Sequence, residues 1–135
     1  MITGLSHISI VVPDLDKAAL RLKEVYALTT GAPEVNEEQG VRLAYVDLGN
    51  ARIELMEPLR PGSPVSKFLE RNPQGGIHHF SLAVDDVNAV VQTLSASGVR
   101  VLGDGMQVNV HGERIAFVHP KDFLGALVEL EEEKS

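Results

Sequence analysis

Four residues of this 135-residue chain combine the donor types of a metal site with a regular spacing: His7, Glu54, His79 and Glu129. The histidines stand 72 positions apart and the glutamates 75. Each interrupts an apolar run that reads as a β-strand. Side chains alternate between the two faces of a strand. Leu5, His7 and Ser9 therefore share one face, and Ile8, Ile10 and Val12 the other. In the second copy His79 and Ser81 oppose Phe80, Leu82 and Val84. Glu54 lies between Ile53 and Leu55, and Glu129 between Val128 and Leu130. A carboxylate in such a place has to be solvated, paired or bound to a cation. Singly, each is an ordinary strand residue. Two neutral imidazoles and two carboxylates meeting at one point form a site for a divalent cation of borderline hardness, with up to two octahedral positions left for water or a chelating substrate.

The elements that must carry these residues follow from an internal repeat. His7-Ile-Ser-Ile-Val-Val12 matches His79-Phe-Ser-Leu-Ala-Val84 in type at every position, at an offset of 72. Leu15, Ala18, Ala19 and Leu22 then fall on Val87, Val90, Val91 and Leu94, the spacing of an amphipathic helix. Asp14 and Asp86 start these helices, where a carboxylate accepts orphan backbone N–H groups. Ala44-Tyr-Val46 matches Ala116-Phe-Val118 at the same offset, and Ala51-Arg-Ile-Glu-Leu55 matches Ala126-Leu-Val-Glu-Leu130 at 75. Strands are expected over Arg42 to Leu48 and Arg52 to Glu57, around a Gly49-Asn50 turn, and over Arg114 to Val118 and Ala126 to Glu131. Each half has room for one more short strand. The order is strand, helix and three strands, twice. This is an α+β architecture of two tandem βαβββ modules, with the helices on the apolar face of a mixed sheet. We expect one domain, with modules at about 1–58 and 76–135 and a linking segment at about 59–75. The link holds a short helix with Ser63 as N-cap, Pro64 in its first turn and Val65, Phe68 and Leu69 as its stripe.

No other titratable residue fits the pattern. His78 lies on the Phe80 face, out of register with His7. His111 and His119 lack counterparts in the first half and read as loop residues, while Asp85 and Asp86 read as helix starts. Glu57 and Glu131, near strand ends, are expected in solvent, as is the acidic end of the chain. With 44% hydrophobic and 23% charged residues the chain is globular, not disordered. Its net charge of −7 repels nucleic acid and anionic membranes. There is no apolar run of the roughly 18 residues that a bilayer needs, nor a basic, then apolar, start of the secretory kind. Without cysteine there is no disulfide, thiolate nucleophile or zinc ribbon, and the default compartment is the cytoplasm.

The paired modules and the His…Glu…His…Glu order resemble the vicinal oxygen chelate, or glyoxalase-like, superfamily. Over essentially its whole length the chain is similar to the methylmalonyl-CoA epimerase family within it. The segments that carry the likeness are His7-Ile-Ser-Ile-Val-Val-Pro-Asp-Leu15, Glu38-Gln-Gly-Val41, Ile53-Glu-Leu-Met-Glu-Pro-Leu59 and Ser63-Pro-Val65. They continue through Gly75-Gly-Ile-His-His79, His111-Gly112, Phe117-Val-His-Pro-Lys-Asp122 and Gly125-Ala-Leu-Val-Glu-Leu130. The histidine pair and the His-Pro-Lys segment are the most specific. The resemblance implies His7, Glu54, His79 and Glu129 as metal ligands, the second being Gln in some members. It implies Co2+ or Mn2+ foremost, with Ni2+, Zn2+ and Mg2+ as the other cations. It further implies a homodimer acting on a small acyl-CoA and interconverting (2R)- and (2S)-methylmalonyl-CoA.

That chemistry suits the residues. Epimerising a carbon beside a thioester removes one proton and returns another on the opposite face, which calls for two acid/base groups. A dication on the carbonyl oxygen stabilises the developing enolate. Glu129 is the expected base and Glu54 its mirror across the repeat. Some relatives carry a further acid/base Glu shortly after the Gln-Gly-Val segment, where this chain has Leu43. That either moves the role to Glu54 or leaves the two-base scheme without its second member. Arg60, Lys67, Arg71, Arg114 and Lys121 are the cations available to a CoA phosphate, and none is assigned to it. The alternatives are a glyoxalase I-type lactoylglutathione lyase and a metal-free antibiotic-binding module of the same fold. An iron dioxygenase is disfavoured, because a fourth protein ligand crowds out oxygen.

Overall fold

Asp14 and Asp86 are the N-caps of the two long helices, and their carboxylates accept from the backbone N–H of Lys17 and Ala89 at 3.0 and 3.1 Å. The computed structural model describes residues 1–103 and 105–133. In chain order it contains β1 (Ile2–Val11), α1 (Leu15–Tyr26), β2 (Glu34–Asn36), β3 (Val41–Asp47), β4 (Arg52–Pro58), α2 (Pro64–Arg71) and β5 (Gly76–Val84). These are followed by α3 (Val87–Ala96), β6 (Gln107–Val108), β7 (Arg114–Val118) and β8 (Val128–Glu132). The sequence of elements is βαβββ twice, with α2 between the copies, as the repeat predicts. Here β2 and β6 are the expected extra short strands. β8 starts at Val128 instead of Ala126, because the preceding turn runs on through a bond from the Ala126 N–H to the Phe123 carbonyl. No helix among the described residues is long and apolar enough to cross a membrane.

The chain forms two compact units, one of Ile8–His78 and one of Met1–His7 with His79–Ser135. β1 contributes its first residues to the latter and its remainder to the former. In the Ile8–His78 unit the strand order is β2-β3-β4-β1. β3 is antiparallel to both neighbours, and Tyr45 is paired with Glu54 across the β3–β4 hairpin. α1 covers the face of Ile10, Val12 and Ile53 through Leu15, Ala18 and Leu22. The opposite face, which includes Val11, Val41, Leu43 and Met56, is covered by the Val65, Phe68 and Leu69 stripe of α2. Leu43 is buried in this apolar cluster and has no group that moves a proton. Ser63 caps α2 through backbone geometry, while its hydroxyl pairs with that of Ser66 at 3.2 Å.

In the other unit the order is β1-β5-β8-β7-β6, with β5 and β8 parallel and Ser81 opposite Glu129. α3 packs Val87, Val90, Val91 and Leu94 on Phe80, Leu82 and Val84.

Glu57 is not a solvated strand end. Its carboxylate accepts from the Leu15 N–H at 2.5 Å and stands 3.5 Å from the Arg42 guanidinium. Glu132 does the same in the other copy, accepting from the Val87 N–H at 3.0 Å and from Arg114, which holds its carboxyl below the usual range. Arg42 and Arg114 are 72 apart and Glu57 and Glu132 are 75 apart, so the repeat extends to this helix-anchoring pair. Neither residue marks the pair by itself, because its partners come from different elements.

The His119-Pro-Lys-Asp122 segment folds as a 3-10 turn whose cap is His119, its Nδ1 accepting from the Lys121 N–H at 3.1 Å. Asp122 closes back on Arg100, accepting from its backbone N–H and its Nε, both at 2.9 Å. Those guanidinium and backbone hydrogen bonds hold the Asp122 carboxyl at about 2, against 3.8 in the free residue. A carboxyl depressed in the folded chain stabilises it above the unfolded value and loses that contribution as pH falls through the folded one. Asp122→Asn is therefore expected to lower the urea midpoint above about pH 5, with the gap from the parent closing by about pH 2. A gap that does not change with pH would show that the pair contributes nothing.

Candidate metal centre

His7 and His79 belong to the same compact unit, on β1 and β5, and both are almost fully buried. Their rings meet edge to face with centroids 5.9 Å apart, and His79 also stands edge-on to Phe117 at 5.4 Å. On β8, Glu129 points an oxygen to within 3.5 Å of His7 Nε2. The other nitrogen, His7 Nδ1, lies 3.7 Å from Glu131 and 3.2 Å from the Ser6 hydroxyl. Ser6 in turn donates to Glu131 at 2.8 Å. Ligand-type atoms of His7, Glu129 and Glu131 all lie within 4.8 Å of one another. Glu131 is 6% exposed, so the expectation of a solvated strand end is wrong for it. Its place two residues after Glu129 puts it on the same, inward face of β8.

Glu54 lies in the Ile8–His78 unit, where hydroxyls hold both carboxylate oxygens. Ser9 donates to one at 2.6 Å and Tyr45 to the other at 3.1 Å. The Arg52 guanidinium lies 4.3 Å above the Tyr45 ring, a cation–π contact that favours the phenol as a donor. The second copy breaks this arrangement. Phe117 replaces Tyr45, and Ser81, the counterpart of Ser9, has a buried hydroxyl with no hydrogen-bond partner among the described residues.

Residues 6–117 match the family model of the Glyoxalase/Bleomycin resistance protein/Dioxygenase superfamily. The chain belongs to that superfamily. It is 45% identical over 133 residues to the ethylmalonyl-CoA/methylmalonyl-CoA epimerase of Cereibacter sphaeroides, spanning 98% of this chain and 99% of the relative. Among solved structures it is similar to methylmalonyl-CoA epimerase from Mycobacterium tuberculosis, with 34% identity, a TM-score of 0.90 and coverage of 99% of this chain and 90% of that one. A Streptomyces coelicolor methylmalonyl-CoA epimerase variant in complex with 2-nitronate-propionyl-CoA aligns over the full length of both chains, with 36% identity and a TM-score of 0.88.

For this superfamily member the donor set fits a divalent cation. The cluster is buried and combines imidazole nitrogen with carboxylate oxygen, the mixture that suits ions of borderline hardness. One of the two ring nitrogens of His7 faces a carboxylate backed by a serine, the outer support that metal-binding histidines characteristically have. The remaining histidines have other tasks. Half-buried in the Ile8–His78 unit, His78 stands edge-on to Phe68 at 5.4 Å, and burial lowers its basicity. His111 Nδ1 is 3.6 Å from Glu113 in the loop before β7. Of the cations available to a CoA phosphate, Arg114 is paired with Glu132 and Arg60 with Glu37. Sequence reasoning missed Ser6, Tyr45 and Glu131. Tyr45 was legible as the hairpin partner of Glu54, and Glu131 as sharing the face of Glu129 by strand alternation, but no local signal marked Ser6.

Proposed function

We propose that this chain is a metal-dependent epimerase of methylmalonyl-CoA, with His7, Glu54, His79 and Glu129 as the metal ligands. The observation that carries the reading is the buried grouping of two imidazoles with Glu129 in one unit of a superfamily member. Glu54 joins them by the logic of the repeat: it is the counterpart of Glu129, and it is held by Ser9, which shares the His7 face of a single strand. When bound, a divalent cation polarises the thioester carbonyl and stabilises the negative charge that builds on its oxygen. Co2+ and Mn2+ are the cations proposed first.

Glu129 takes the proton from the carbon between the thioester and the free carboxylate. The C–H electron pair passes into the enolate, and Glu54, which enters the step protonated, delivers its proton to the opposite face as the C–H bond re-forms, so that Glu129 ends as the acid and Glu54 as the carboxylate. The reverse reaction exchanges the roles. The hydroxyls of Ser9 and Tyr45 donate to both Glu54 oxygens, and Glu129 keeps the role of base expected from the sequence. Leu43 leaves Glu54 as the second group. We further propose that the two modules work as one domain, in a cytoplasmic homodimer. The name of the Cereibacter sphaeroides relative makes ethylmalonyl-CoA the next substrate to try.

The test is deuterium uptake at the α-carbon of methylmalonyl-CoA in heavy water, with and without a chelator. Rapid uptake that the chelator abolishes and added Co2+ restores is expected. Turnover of a methylglyoxal hemithioacetal without such uptake would assign the chain to the lyases. Tight binding of an antibiotic without turnover would make it a binding module.

A further inference from the structure

Ser6 carries one hydroxyl proton and touches two groups. Its Oγ is 2.8 Å from Glu131 Oε1 and 3.2 Å from His7 Nδ1. An ionised carboxylate only accepts hydrogen bonds, so the serine proton goes to Glu131. The contact with Nδ1 then has to be made with the ring nitrogen as donor. His7 therefore carries a proton on Nδ1, which leaves Nε2, the nitrogen 3.5 Å from Glu129, as the one that can bind a cation. The other copy has no such device, because His78 stands at the repeat position of Ser6 and Met56 at that of Glu131.

We propose that Ser6 and Glu131 are a positioning pair that holds His7 in the tautomer able to bind a cation through Nε2. This rests on the metal-centre reading above, but its structural part does not need the ion. With Nδ1 as donor into a serine–carboxylate chain, His7 is strengthened as a ligand, since hydrogen bonding to a ligating histidine's second nitrogen makes it a better donor to the metal.

Three variants test the pair. Glu131→Met copies the first module, Ser6→Ala removes the bridging hydroxyl, and Glu131→Gln keeps an acceptor oxygen for Ser6. Long-range proton–nitrogen NMR of metal-free protein reads the His7 tautomer, and chelator competition reads Co2+ affinity. The parent is expected to show His7 as Nδ1–H. Glu131→Met and Ser6→Ala should populate Nε2–H and lose about 10- to 100-fold in Co2+ affinity, and Glu131→Gln should recover most of both. Because Glu131→Gln and Ser6→Ala are small changes, they decide the matter if Glu131→Met does not fold. An Nε2–H parent, or variants with the parent's tautomer and affinity, would overturn the pair. A parent that binds no Co2+ yet keeps the Nδ1–H form would sink the metal reading and leave the pair standing.

Discussion

Glu129→Gln is expected to slow deuterium exchange at the α-carbon of methylmalonyl-CoA by about 10²- to 10⁴-fold, the usual contribution of a positioned general base. That corresponds to roughly 3–5 kcal/mol of transition-state stabilisation. Glutamine matches the shape of glutamate and keeps an oxygen for a cation, but it takes up no proton. Co2+ affinity should therefore fall much less than the rate, and the measurement pairs exchange kinetics with chelator competition. Glu54→Gln provides the comparison. Because some relatives have Gln at the matching position, it should keep more Co2+ binding than an apolar replacement, while exchange and racemisation slow unequally. Exchange within about tenfold of the parent in Glu129→Gln would remove it from the base role.

Gly75→Ala should be the most damaging single-methyl change to the fold. A Cβ at this position would stand 2.4 Å from the Val11 carbonyl oxygen and 3.4 Å from Val12 Cα. All of these are backbone atoms of the strand end that carries Ser9, so no side chain can swing aside. The residue also has φ of +89°, a region that costs a non-glycine residue about 1–3 kcal/mol. Overpacking adds about 1–3 kcal/mol. Against a total stability of about 5–15 kcal/mol, the sum leaves the variant marginal. Calorimetry should find Tm lowered by about 10–20 °C, at a few degrees per kcal/mol for a chain of this size. A Tm within a degree or two of the parent would mean that the close approach of the Gly75 turn to β1 is absent in solution. Glycine in the Gly75-Gly-Ile-His-His79 segment is thus explained by packing, without any role in the chemistry.

Much of the architecture was legible in the amino-acid order, because alternation and helical periodicity are local properties of a chain. The offset of 72 located both strand–helix starts. Asp14 and Asp86 marked the caps, and Ile10, Val12, Leu82 and Val84 were assigned to the helix-covered faces where they lie. The same alternation set His7, Ser9, His79 and Ser81 on the opposite faces. It carried no information about what else would be there. That α2 lays Phe68 and Leu69 over Val11, Leu43 and Met56 depends on the connection between Pro58 and Gly76, whose path no periodicity encodes.

By itself, then, the sequence determined the duplicated βαβββ plan, the superfamily, and the four residues worth testing as ligands. Only the tertiary structure decided their company. Ser6 meets Glu131 across 125 positions, Glu57 anchors the helix beginning at Leu15, and Tyr45 shares Glu54 with Ser9. Type and spacing reveal which face a side chain takes, since that is set by its own few neighbours. The partner it finds there is set by strand register and loop closure over the whole chain, and two residues far apart in sequence bear no mark of each other until the backbone brings them within hydrogen-bond range.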